Sequence, residues 1–133
     1  QSENSSWKTY RNEKYGFEVR YPTTWKIDVS NQRDVGGIFV SFNRGEINIL
    51  GLGVFEGTIE TDILGKISQP TETINFVLNG INMVGLPHGG FETEYDLYFE
   101  RDGQVYYFTE SFFAQKGDSK IINTIIDSFK FIR

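Results

Sequence analysis

The fold of this chain is decided by one stretch near its start, residues 15–25, with the sequence YGFEVRYPTTW. Within it, apolar side chains alternate with Glu18 and Arg20, which is the period of a β-strand that buries one face. Pro22 has no backbone donor, so strand pairing is expected to end there. The alternation resumes at Trp25 and continues to Val29. The stretch therefore predicts a strand, a proline corner and a second strand, whose large aromatic rings start the core.

Composition limits the class of protein around this stretch. The 133 residues suit one domain, and the 12 Phe and 7 Tyr favour strands over helices. A net charge of −5 argues against the basic face that nucleic-acid binding requires. The chain has no cysteine, which excludes disulfides, a thiolate nucleophile and cysteine metal ligands. It also has no apolar run long enough to predict a membrane span.

The first residues differ in character from the rest. Residues 1–9 begin with QSENSS, which is polar and typical of a flexible leader. Residues 10–133 are predicted to form a single domain. Such a leader is either a tether left after removal of a signal or lipid anchor, or only the boundary of the given chain.

A first hairpin is predicted after the proline corner, from Ile38–Phe42 and Ile47–Phe55. A two-residue turn at Arg44-Gly45 sets two cross-strand pairs, Phe42 with Ile47 and Val40 with Ile49. Both faces of this hairpin carry apolar residues, which favours a central place in the sheet. Gly51 and Gly53 share one face and leave room for a ring, a helix or a ligand to approach.

Two later hairpins carry the strongest turn signals in the chain. Asn79-Gly80 joins residues 73–78 to 81–86, and Asp102-Gly103 joins residues 91–101 to 104–114. Both dipeptides favour the left-handed conformations of a type I′ turn. The second turn predicts pairs on both faces: Phe99 with Tyr106, Leu97 with Phe108, Thr93 with Phe112, Tyr98 with Tyr107, Asp96 with Thr109 and Glu94 with Ser111.

Two segments have helical character. Glu60–Ile67 predicts one or two turns, capped by Thr61 or Asp62. Near the end, Asp118 is a predicted N-cap for a helix from Asp118 to Ser128, and apolar residues fall on one stripe of it: Ile121, Ile122, Ile125, Ile126 and Phe129. A short strand at 129–132 then closes the chain.

Several of these features occur together in one known family. The motifs that carry the likeness are Tyr15-Gly16-Phe17, Tyr21-Pro22-Thr23-Thr24-Trp25, the late hairpin, and the helix that ends in Ser128-Phe129-Lys130-Phe131. They resemble the PsbP-like family, whose fold is shared with the Ran-binding Mog1 protein. The resemblance covers about Tyr10 to Ile132. It implies an α+β fold, an α-β-α sandwich with a central, mainly antiparallel sheet and the C-terminal helix packed on it.

Members of that family look like extracytoplasmic proteins or lumenal subunits that assist photosystem assembly, and many prokaryotic ones are lipoproteins of unknown role. The resemblance therefore implies an extracytoplasmic protein, secreted or lipid-anchored, with a cytoplasmic one as the alternative. It carries over no catalytic, cofactor-binding, metal-binding or partner-binding residue.

Candidate polar residues are few. His88, the one histidine, lies in a Pro-His-Gly-Gly loop and is interpreted as solvated. An acidic row falls on one face of one strand: Glu92, Glu94, Asp96 and Glu100. A flat row cannot surround a cation by itself, so the row is interpreted as a solvated acidic face. Beside it, Tyr98 and Tyr107 form a pair with the composition of an interface.

Glu110 interrupts an apolar face, opposite Tyr95. It is expected to be either hydrogen-bonded at the rim of the sheet or buried, where its charge is costly.

Two function hypotheses follow from these patterns. The first is a non-enzymatic binding or assembly module that acts through a sheet face or edge, because no catalytic constellation or cofactor motif occurs. The second is a small-molecule or lipid carrier with an apolar pocket between sheet and helix, lined by Gly51, Gly53 and phenylalanines. An exposed patch favours the first and an enclosed apolar cavity favours the second. The expected partner is another protein or a small ligand.

Overall fold

A computed structural model describes residues 7–32, 37–66, 73–87, 95–111 and 113–132. Its regular elements are β1 Lys8–Asn12, β2 Phe17–Tyr21, β3 Lys26–Gln32, β4 Gly37–Arg44, β5 Ile47–Glu56, β6 Ile74–Leu78, β7 Ile81–Pro87, β8 Tyr95–Arg101, β9 Gln104–Glu110, α1 Ser119–Ser128 and β10 Lys130–Phe131. Helical turns occupy Ile59–Ile63, Leu64–Lys66 and Lys116–Asp118. The predicted α+β class, mostly antiparallel sheet with a C-terminal helix, is confirmed.

The described strands form two antiparallel sheets. The larger has seven strands in the order β3-β4-β5-β9-β8-β7-β6, and the smaller has three in the order β1-β2-β10. The proline corner carries the chain from the small sheet to the large one, and Trp25 N donates to Pro22 O at 3.0 Å within it. The predicted strand, corner and second strand are therefore confirmed, although the two strands belong to different sheets.

The core lies on one face of the seven-stranded sheet, beneath α1 and the small sheet. Phe129, which follows α1, stacks on Phe17 of β2 with ring centroids 5.3 Å apart. It also meets Phe99 of β8 edge to face at 5.0 Å. Trp25 is 4% exposed, so the ring that ends the opening stretch is buried as predicted. This cluster joins the two sheets and the end of the helix.

The two hairpins with the strongest turn signals are confirmed. Asn79 and Asp102 both have φ near 55°, and each is followed by a glycine with positive φ, which is the type I′ pattern. The predicted pairs nearest the second turn are observed: Phe99 with Tyr106, Tyr98 with Tyr107 and Leu97 with Phe108. The predicted pairs of Thr93 and Glu94 lie outside the described residues.

The predicted register of the first hairpin is wrong. Gly45, with φ of 69°, occupies the first central position of the turn, so Arg44 pairs with Ile47. A bulge then inserts Ile49, and the next pairs are Phe42 with Leu50 and Val40 with Leu52. Glycine at the first central position suits a type II′ turn, whereas the sequence prediction placed it at the second. A bulge leaves one residue without a cross-strand partner.

The helix caps agree only in part with the prediction. The turns at 59–66 are capped by Thr58, whose hydroxyl accepts from Thr61 N at 3.1 Å, while Asp62 accepts from Thr58 N at 2.9 Å. Thr61 and Asp62 are therefore not the N-cap residues. Asp118 occupies the predicted N-cap position of α1, but its carboxyl makes no capping hydrogen bond to that helix and accepts from Gln115 N of the preceding turn at 2.9 Å.

Strand β1 was not predicted. Its residues Lys8 and Thr9 fall within the segment assigned to the leader, and they pair with Tyr21 and Arg20 of β2. Residues 1–6 lie outside the described residues, so a flexible leader before the domain stays a prediction.

Candidate binding groove and sheet edge

A groove of about 560 Å³ opens between α1 and the seven-stranded sheet. Its apolar lining comes from four strands and the helix: Leu50, Phe76, Leu78, Leu97, Phe108 and Ile126. Tyr95, Glu110, Asn123 and Asp127 supply its polar groups. We call this cavity the α1 groove. Its volume and its apolar lining with a few polar groups are those of a ligand or side-chain pocket.

Two local features, a glycine on β7 and an asparagine in the β6–β7 turn, shape the groove. On β7, a Cβ atom at Gly85 would lie 3.0 Å from Ile74 and 3.2 Å from Tyr95, so glycine lets both side chains approach the strand. At the end of α1, the Asn79 side chain donates to Asp127 O at 2.6 Å and to Phe129 O at 3.1 Å. The β6–β7 turn is thereby fixed to the helix end.

Glu110 is one of two buried acidic residues among the described residues, at 7% exposure. It pairs with Leu50 in the sheet and faces the α1 groove. Glu110 is therefore buried, and it also has an interaction partner, so the structure does not separate the two sequence alternatives for this residue. Asp127, exposed on α1, adds a second acidic group to the lining. Among the described residues that line the groove, none is basic.

Strand β6 borders the groove and forms one edge of the seven-stranded sheet. Two residues of this strand, Val77 and Ile74, are 64% and 38% exposed. From position 74 to position 87 the sequence has no charged residue. We call the outer side of this strand the β6 edge. An apolar edge strand without charge is a site at which another strand can pair.

The register shows which backbone groups the β6 edge presents. In a two-residue hairpin the pair that flanks the turn, Leu78 and Ile81, is hydrogen-bonded. Bonded and non-bonded pairs alternate from there, so the N–H and C=O groups of Asn75 and Val77 point away from β7. These are the groups that a further strand would bond.

The opposite face of the sheet is filled by aromatic rings. A Cβ atom at Gly51 would lie 2.2 Å from the Phe39 ring, and one at Gly53 would lie 2.2 Å from the Tyr107 ring. Rings therefore occupy the space that the two glycines leave, and neither glycine lines the α1 groove. Tyr98 stacks on Tyr107 with centroids 5.7 Å apart. Burial, then Asp96 and Tyr107, raise the pKa of Tyr98 to about 12.

Only part of the predicted acidic row falls within the described residues. Glu92, Glu94 and His88 lie outside the described residues. Glu100 is exposed and accepts a hydrogen bond from Ile59 N at 2.8 Å, which holds the helical turns against this face of the sheet. In the part of the chain that the structure describes, no group of three or more His, Cys, Asp or Glu residues is arranged to hold a metal ion.

Sequence reasoning missed an ion pair that positions α1. The guanidinium of Arg44 contacts both carboxyl oxygens of Asp118, at 3.0 and 3.1 Å. Asp118 is 5% exposed, and the two residues are 74 positions apart. A bidentate pair of this kind is geometrically specific, so it fixes the start of the helix on the β4–β5 hairpin.

Among the described residues, no helix is both long and apolar enough to cross a membrane.

The fold and the groove define an α+β protein of the PsbP-like fold, as the sequence motifs predicted. The solution structure of cyanobacterial PsbP (CyanoP) from Synechocystis sp. PCC 6803 is similar to this chain, with a TM-score of 0.56. The alignment covers 95% of this chain and 92% of that chain at 17% sequence identity. At this identity the likeness shows the fold alone. No protein-family model and no curated protein matched the sequence.

Proposed function

We propose that the protein is a non-enzymatic binding or assembly module that engages another protein through the β6 edge. The observation that carries the proposal is the uncharged edge strand itself, with Val77 64% exposed. Natural edge strands are usually protected by lysine, proline or a bulge, because an unprotected edge pairs with other chains. Strand addition to such an edge is a recurring mode of peptide recognition.

Two single substitutions test this proposal. Val77→Pro removes an outward N–H donor from β6 and leaves the β6–β7 ladder intact, because proline is tolerated where the donor faces outward. Val29→Pro is the matched control. Alternation from the hydrogen-bonded Arg44–Ile47 pair across β4 places the Val29 N–H on the outer side of β3.

The measurement is affinity purification from cells of the source organism with both variants and the unsubstituted protein. We expect a partner that the unsubstituted protein and Val29→Pro recover and that Val77→Pro loses. Equal recovery by all three proteins would contradict the proposal.

The α1 groove favours a second candidate function, a small-molecule or lipid carrier. Its volume of about 560 Å³ falls in the range of small-ligand pockets. Leu97→Trp would fill the groove, since Leu97 is half-buried in its lining. Native mass spectrometry of protein purified from source cells should then show a co-purifying small molecule that the variant lacks. Absence of any bound mass in the unsubstituted protein would remove this candidate.

We also propose that the protein acts outside the cytoplasm, secreted or lipid-anchored. The support is the resemblance of its motifs to a family whose members look extracytoplasmic. Cell fractionation with an antibody to the domain tests the proposal, and recovery of all the protein with cytoplasmic markers would overturn it.

A further inference from the structure

We propose that the partner at the β6 edge is a second copy of this chain, bound by antiparallel pairing of β6 with β6 about a two-fold axis at Phe76. This inference rests on the proposed function, because it names the partner of the same edge. Three features of the edge carry it: its outward backbone groups, the side-chain pairs that the axis creates, and the absence of charge along it.

The outward backbone groups of β6 are symmetric about Phe76. Asn75 and Val77, one residue to either side, direct their N–H and C=O groups away from β7, and no described strand pairs with them there. The axis places Asn75 of each copy opposite Val77 of the other, because a two-fold interface brings the same surface of both copies together. Each of these pairs exchanges both of its N–H···O bonds. This register pairs all 5 residues of β6 with β6 of the second copy.

The side chains that meet across this axis are apolar on the face that carries α1. Phe76 and Leu78 line the α1 groove, and Ile74 lies on the same face because side chains alternate along a strand. The axis sets Phe76 against Phe76 of the second copy, and Ile74 against Leu78. Phe76 then belongs to a non-hydrogen-bonded pair, the kind whose side chains are closest. The apolar surface of one copy therefore continues into that of the other, at the rim of both α1 grooves.

The distribution of charge is the third feature. The chain has a net charge of −5, so two copies repel each other on average. From position 74 to position 87 it has no charged residue, so no like charges meet where β6 and β7 of the two copies approach the axis. The two Asn79 turns lie about six residues, or roughly 20 Å, apart along the paired strands. Because Asn79 contacts Asp127 O, the axis also separates the two acidic helix ends by more than the screening length.

A strand from a different protein is the competing occupant, since it would use the same outward backbone groups. The second copy is favoured by its own sequence. It supplies an apolar side chain opposite each apolar side chain on the α1 side of β6, and it brings no charge to the edge. In affinity purification, the recovered partner is then the untagged copy that the source cells express.

The first test is sedimentation velocity of the purified chain at concentrations from about 1 μM to about 1 mM. We expect a concentration-dependent dimer for the unsubstituted protein and for Val29→Pro. Val77→Pro should dimerise at least about tenfold more weakly, because each copy loses a donor to the other. Added salt should not weaken the dimer, since no ion pair forms across β6 and screening reduces the repulsion of the two net charges.

A second pair of variants keeps every backbone donor. Val77→Lys adds a charge to the β6 edge at a largely exposed position, and Val29→Lys adds the same charge to β3. Both should fold normally, which circular dichroism checks. Val77→Lys should weaken the dimer, because a lysine on an edge strand opposes pairing. Val29→Lys should leave dimerisation unchanged.

The register is tested by disulfide formation, because the native chain has no cysteine. Asn75→Cys and Val77→Cys are prepared separately, then mixed and oxidised. In the proposed register, positions 75 and 77 of different copies have Cα atoms about 5.5 Å apart, which a disulfide spans. Within either variant alone, the two equivalent positions lie about 8–9 Å apart, which is too far. We therefore expect the mixture to form a crosslinked dimer and each variant alone to form little.

The contrary outcomes are distinct. A monomer at about 1 mM, with a different protein recovered from cells and lost in Val77→Pro, would overturn the second copy as partner and keep edge binding as the function. A dimer that Val77→Pro leaves unchanged would overturn the inference, because its interface lies elsewhere. Equal crosslinking by the mixture and by each variant alone would overturn the register at Phe76. A monomer with equal recovery by all three proteins would overturn both the inference and the proposed function.

Discussion

The two ends of the seven-stranded sheet are built differently. At one end β3 follows a buried Trp25 and carries Lys26 and Asp28 along its length. At the other end β6 has only apolar residues and one asparagine, and it borders the α1 groove. Charges on an edge strand oppose pairing with other chains, and their absence permits it. This difference supports the proposal that another chain pairs at β6 rather than at β3.

The largest expected effect tests the anchoring of the β3 end. Trp25→Ala should lower the free energy of unfolding by about 3–5 kcal/mol, because it removes a buried ring from the core. Val77→Ala at the β6 end is the matched truncation. It should change stability by less than about 0.5 kcal/mol, because Val77 is largely exposed. Chemical denaturation of both variants measures the contrast, and comparable losses would show that the two ends are equally packed.

A smaller loss of stability is expected from breaking the ion pair that fixes α1 to the β3 half of the sheet. Asp118→Asn removes the charge that pairs with Arg44, and should cost about 2 kcal/mol. The cost stays below that of a fully buried pair, because the Arg44 side chain is 36% exposed and can be hydrated. Thermal and chemical unfolding check this value, and an unchanged midpoint would show that the ion pair does not hold the helix.

At the β6 half of the sheet, the contact of Asn79 with the end of α1 should contribute less to the free energy of unfolding. Asn79→Gly keeps the left-handed turn and removes the side-chain donor to Asp127 O and Phe129 O, at a cost of about 1 kcal/mol. The same variant should increase hydrogen exchange at the end of α1. If it destabilised the protein more than Asp118→Asn, the ranking of the two helix anchors would be reversed.

The smallest effect appears only at high pH and concerns Tyr98, on the β6 half. Burial raises its pKa to about 12 in the folded protein, whereas the unfolded chain ionises near its ordinary value of about 10. The unfolded state therefore releases the proton first, and stability is present below pH 10 and is lost as pH rises toward 12. Tyr98→Phe should flatten this decline and leave stability at pH 7 nearly unchanged. Unfolding at a series of pH values tests it, and identical slopes would contradict the assignment.

Local signals in the sequence predicted much of the β6 half. The Asn79-Gly80 and Asp102-Gly103 dipeptides fix backbone conformation within two residues, so both hairpins and the pairs beside the second turn were predictable. The register of β4 and β5 was not, because Gly45 fits either central position of a turn and no local pattern announces the bulge at Ile49. Strand β1 was missed because its residues lack an apolar alternation, and pairing with β2 holds it.

A pocket between sheet and helix was one of the two sequence hypotheses, but the residues that line the α1 groove and the contacts that anchor the helix beside it could not be read from the sequence. The contact of Arg44 with Asp118 joins positions 74 apart, and that of Asn79 with Asp127 joins positions 48 apart. The sequence also predicted that Val29 would continue the alternation of Trp25, yet Val29 is 46% exposed at the sheet edge. Periodicity identifies a face, but it does not show where the cover over that face ends.

The central claim, that β6 is the binding edge, is tested most directly by photo-crosslinking in source cells. Asn75 on β6 and Asn31 on β3 are matched exposed asparagines, and both direct backbone groups away from the sheet. Each is replaced in turn by a photoreactive phenylalanine derivative. The account predicts a discrete crosslinked protein from position 75 and none from position 31. Crosslinking from position 31 alone, or equally from both positions, would contradict it.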